Sequence, residues 1–122
     1  MNAALLITSA FTLLLLPMTG SISDQDLMEK KTRHAENIFR FLALGDLEKV
    51  TTEAEYLEKI TKKAGFGETS ERYQEYGKEF LKVVRALRDE ASRRNMAGSY
   101  YEFSRMSGMC FSCHEHIRDS ED

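Results

Sequence analysis

The sequence predicts an all-α chain folded as an antiparallel up-down four-helix bundle, and three observations predict it. The only proline is Pro17, so the chain beyond it carries no obligatory helix breaker. Its seven glycines sit mostly between periodic segments rather than inside them. Apolar residues recur at spacings of three and four in four such segments, and helices joined by short breaks pack as antiparallel neighbours.

Each element has its own signals. Helix 1 is expected to start at Ser23 or Asp24, either of which can cap it, and to end at Leu44 before the Gly45-Asp46 break. Its stripe is Met28, Ala35, Ile38 or Phe39, and Leu42. Helix 2 is expected from about Leu47 to Ala64, with Val50, Ala54, Leu57 and Ile60 or Thr61 on one face. The stretch from Gly65 to Thr69 is the longest loop, after which Ser70 can cap helix 3. That helix carries Tyr73, Phe80, Val84, Leu87 and Ala91 on its stripe and ends near Asn95. Helix 4 is expected from about Ala97 to Arg118, with Phe103, Met106, Cys110, Cys113, His114 and Ile117 turned inward.

Upstream of the helices, Ala3 to Leu16 is apolar apart from Thr8, Ser9 and Thr12, and Pro17 to Ser23 adds a breaker and small residues. This is the shape of a secretory signal peptide over residues 1–22, with cleavage between Gly20 and Asp24. The run is about 14 residues, short of the ~20 that a spanning helix needs, so an uncleaved anchor is the weaker alternative and no stable membrane insertion is expected once the signal is cleaved. No Lys or Arg precedes it, a departure from the usual signal that puts a misassigned start codon in play. No cysteine lies near the cleavage region to carry a lipid. Residues 23–122 then make one domain of about 100 residues.

The formal net charge is −3, which argues against a nucleic-acid surface. Charges are mixed along the chain, and the short basic runs Lys30-Lys31 and Arg93-Arg94 read as solvated helix faces. Nothing resembles a Gly-rich phosphate loop or a hydrolytic Ser/His/carboxylate set, so no enzyme is expected.

The most specific signal is Cys110-Phe111-Ser112-Cys113-His114, which contains both cysteines of the chain. It is the C-x-x-C-H pattern of covalent haem attachment, in which two thiols bond one porphyrin and the imidazole ligates its iron. On a helix the three residues share a face, being three and four apart. Zinc would want four thiolate or imidazole ligands, and only His116 and His34 remain to supply them. A thioredoxin-like pair sits between a strand and a helix, a setting absent here. A disulfide across two residues would constrain little of the unfolded chain. Covalent haem c, one per chain, is therefore expected, and with the signal it points to a periplasmic or secreted location.

Only eight residues follow His114, so a second protein ligand must come from upstream. Here the chain resembles the class II c-type cytochromes, the cytochrome c-prime family with its low-spin six-coordinate members. It is also similar to short secreted bacterial haem proteins with a Met-x-x-Lys start, an Asp break after helix 1 and a final Cys-x-x-Cys-His-x-x-x-Arg, matched by Met28, Lys31, Asp46 and Arg118. The Arg-Gln pair frequent on helix 1 of cytochrome c-prime is missing. The resemblance implies that helix 1 faces the iron opposite His114, with Met28 as the family-like ligand and metal-site residue. Its thioether would raise the reduction potential. His34, about 9 Å further along the helix axis, is the rival, and a vacant or water-filled position is the third option. Met106 and Met109 share the helix of the haem string and reach the opposite side poorly, while His116 lies about 200° from His114 and should face solvent.

Secondary expectations attach to Gly77, which could give a flat macrocycle clearance, and to Tyr73, Tyr76, Tyr100 and Tyr101, whose hydroxyls could meet a propionate if not simply packed in the core. Arg118 could neutralise a propionate or favour the C-terminal dipole of helix 4. Two functions follow: electron transfer with a redox protein partner, or five-coordinate binding of NO or CO. Homodimerisation stays open.

Overall fold

A computed structural model describes residues 24–64 and 71–121. The expected signal peptide with its cleavage region, the loop from Gly65 to Thr69 and the caps Ser23 and Ser70 lie outside the described residues. Those described form four helices and no strand: α1 Asp24–Leu44, α2 Leu47–Ala64, α3 Glu71–Ser92 and α4 Met96–Glu121. They make a four-helix bundle. None of these helices is long and apolar enough to cross a membrane.

The break after α1 follows from its residues. Gly45 takes the left-handed region at φ 73°, where the absent Cβ removes the steric penalty. Its N–H donates to the Leu42 carbonyl at 3.1 Å and that of Asp46 to Phe41 at 2.9 Å, the paired bonds of a Schellman cap. Asp46 then caps α2: its Oδ1 accepts from the Lys49 N–H at 3.2 Å, and that bond holds its carboxyl below the usual range.

The turn between α3 and α4 differs from expectation. Helix α3 stops at Ser92, three residues before Asn95, because Arg94 adopts φ 62° and closes a second Schellman cap, with Arg94 N–H on the Ala91 carbonyl and Asn95 N–H on that of Glu90. Asn95 belongs to the next helix. Its Oδ1 accepts from the Gly98 N–H at 3.0 Å, so α4 begins at Met96.

The core is built unevenly. Helix α1 contributes Ile38 and Leu42, α2 Leu47, Val50, Ala54 and Leu57, α3 Phe80, Val83, Val84, Leu87 and Ala91, whereas α4 contributes Met106 alone. Between the paired alternatives, Ile38 is buried and Phe39 is 63% exposed; Thr61 is buried and Ile60 is not. Consecutive helices pack along one another, but α1 and α4 meet only sparsely. The inward face of α4 beyond Met106 is therefore not consumed by the core.

One charged group is buried between α2 and α3. Glu58 accepts from Arg85 Nε at 2.8 Å and from Lys62 Nζ at 3.0 Å, and also pairs with Arg88. Desolvation pushes its carboxyl up, but these donors outweigh it and the net shift is downward.

Candidate functional site

The sparse contact between α1 and α4 leaves a cavity of about 410 Å³ at the end of the bundle where α1 starts and α4 finishes. That lies within the ~300–1,000 Å³ of small-molecule and cofactor sites. Its walls are mainly apolar. Helix α1 supplies Leu27, Met28 and Ala35, α3 supplies Tyr73, Gly77 and Phe80, and α4 supplies Phe103, Cys110, Cys113 and His114. The residues singled out in the sequence thus meet at one place, with the two thiols and the imidazole on the α4 wall and Met28 on that of α1.

The α4 wall has this form because Cys110, Cys113 and His114 are three and four residues apart on an unbroken helix. Both cysteines carry free thiols. Burial among the cavity walls pushes both thiols up, and the charge of Lys31 across the cavity partly opposes the shift. Cys110 and His114 are nonetheless solvent-accessible along one edge, beside Phe111 at 78% exposure, so the cavity is a slot open at its α4 side.

Other residues sit elsewhere. His34 does not line the cavity. Its Nδ1 lies 2.5 Å from Glu53 Oε2 and its ring stacks on Tyr56, toward α2. The reason is register: Ala35 and Ile38 take the inward positions of that turn, and a residue one step before Ala35 falls on the flank. His116 is half-buried rather than solvent-facing, with its ring 5.7 Å from that of Tyr76. Met106 is fully buried, while Met109 lines the cavity from the same helix as the cysteines. Tyr73, Tyr76 and Gly77 lie on the α3 wall; Tyr100, Tyr101 and Arg118 do not line it.

Lys31 departs most from its reading as part of a solvated basic run. It is half-buried, lines the cavity, and holds its ammonium 4.5 Å from the centre of the Phe80 ring. The signal was present in the spacing, since Lys31 is three residues after Met28 and four before Ala35, on the same stripe. Compared with known proteins, the chain matches no family, curated protein or solved structure.

Proposed function

We propose that the protein is a c-type cytochrome of the periplasm or another secreted compartment, an electron carrier rather than an enzyme, with one covalent haem c in the cavity between α1 and α4. A single observation carries the reading: Cys110, Cys113 and His114 line one wall of a mainly apolar cavity whose opposite wall contains Met28. The residues fit that group. The slot between helices is mainly apolar, Gly77 adds no side chain to the α3 wall between Tyr73 and Phe80, and the open edge at Cys110 and His114 exposes the attachment side to a partner. The bundle is read as up-down and antiparallel, which contacts such as His34 with Glu53, Tyr76 with His116 and Phe39 with Phe103 support.

When bound, the haem supplies reversible one-electron Fe(III)/Fe(II) chemistry. Cys110 and Cys113 would hold the group covalently, each thiol supplying the sulfur and the hydrogen for addition across one vinyl substituent. His114 would hold the iron from the α4 side. Met28 offers a thioether from α1, a softer donor that favours the reduced metal. Phe80, Phe103 and Ala35 exclude water, which keeps reorganisation small on electron transfer.

The test is retention. Protein exported to the periplasm should keep its haem through acid-acetone extraction and denaturing electrophoresis, and the double variant Cys110→Ala/Cys113→Ala should lose it. Wild-type protein that releases all its haem would overturn the reading. A retained haem that is high-spin and binds CO or NO directly would favour the gas-binding alternative.

A further inference from the structure

We propose that Lys31 tunes the haem site: its ammonium, held on the α1 wall of the cavity against Phe80, is a fixed positive charge that favours the reduced iron. The inference rests on the haem reading above and concerns a residue that the attachment motif does not involve.

Among the described residues Lys31 is not held in an ion pair, in contrast to several other cations of the bundle. Lys49 pairs with Asp46, Lys62 with Glu58 and Arg33 with Glu29, whereas among the described residues no carboxylate oxygen lies within 4 Å of Lys31 Nζ. Its neighbour is the face of Phe80, 4.5 Å away, which stabilises a cation through the ring quadrupole without neutralising it. A half-buried charge on an apolar wall costs free energy unless something compensates, and burial accordingly pulls the Lys31 ammonium below its ordinary range.

The opposing influence comes from the cavity itself. The groups that raise Lys31 again are Cys110 and then Cys113, which face it across the slot. Burial holds both cysteines as neutral thiols, and thioethers would be neutral as well, so neither supplies a charge that offsets the ammonium. Glu36 is the acidic residue on the α1 wall, but it is exposed and its charge is screened by water. An uncompensated positive charge in a low-dielectric slot stabilises the state that has gained an electron.

The experiment is an optical redox titration of haem-loaded wild type, Lys31→Gln and Lys31→Arg, with spin state recorded for each. Lys31→Gln keeps most of the length and removes the charge, and it should lower the midpoint potential while leaving the oxidised spectrum low-spin. Lys31→Arg keeps the charge and should restore a midpoint close to wild type. A Lys31→Gln midpoint indistinguishable from wild type would overturn the inference, as would a Lys31→Arg midpoint that falls as far as that of Lys31→Gln. Covalent haem with an unmoved midpoint removes this inference alone, whereas wild type that retains no haem removes the haem reading with it.

Discussion

His34 Nδ1 meets Glu53 Oε2 at 2.5 Å, and the same imidazole stacks on Tyr56 with ring centroids 5.4 Å apart. Both partners belong to α2, so this histidine fastens α1 to α2 on the flank away from the cavity. His34→Ala should therefore leave the visible spectrum and midpoint potential unchanged. It should cost about 1 kcal/mol of unfolding free energy, the ordinary net loss for one part-buried hydrogen bond. Denaturant titration monitored by circular dichroism measures this. Loss of the low-spin spectrum would instead put the imidazole on the iron.

Met28 is expected to behave in the opposite way. Met28→Ala should convert the oxidised protein from low-spin to high-spin, remove the weak sulfur-to-iron band at the red end of the visible spectrum, open the iron to CO and lower the reduction potential. If the variant keeps the wild-type spectrum, Met28 is only a wall residue.

Glu58 links pH to stability. Its folded carboxyl is held below the ordinary value of 4.5, so its contribution is fully present above that value and is lost as pH falls through the lower folded value. Breaking a buried ion pair costs about 3–5 kcal/mol. The part-exposed Arg85 and Arg88 can turn to water, so Glu58→Ala should cost about 2 kcal/mol at neutral pH. The difference between variant and wild type should shrink in acid below about pH 4. A constant difference from pH 7 to pH 3 would show that packing, not charge, is lost.

Arg94 offers a gain. It adopts a left-handed φ of 62° at a capping position that glycine occupies after α1. A Cβ in this region costs about 1–2 kcal/mol, so Arg94→Gly should raise stability by roughly 0.5–1 kcal/mol once the greater freedom of unfolded glycine is counted. Thermal unfolding of the two proteins side by side decides it, and a lower melting temperature for the variant contradicts the strain argument.

Much of this architecture was legible because it depends on local rules. Gly45-Asp46 marks the first break by supplying a left-handed residue and then a cap, and both act where the sequence puts them. The α3 end was less legible, since a left-handed arginine carries no sequence signature and Asn95 suits a helix end and a helix start alike. That Cys110, Cys113 and His114 share one face of α4 was readable from their spacing. Lys31 was hidden behind its charge: a lysine next to another lysine reads as solvated, although its spacing from Met28 and Ala35 already put it on the inward stripe. The position of His34 was equally hidden, because a single step around the helix separates the slot from the flank.

The thin seam between α1 and α4 bears on the order in which the chain gains protection. Helices α2 and α3 bury most of the aliphatic residues and hold each other through Glu58, whereas the first turns of α1 and the last turns of α4 lean on a slot instead of a shared core. Amides there should exchange with solvent well before those around Leu57 and Leu87, because little apolar contact has to open first. A group bonded to α4 and ligated from α1 would act as a clasp between the two ends of the folded domain, and its arrival should slow exchange most at residues about 90 positions apart in the chain.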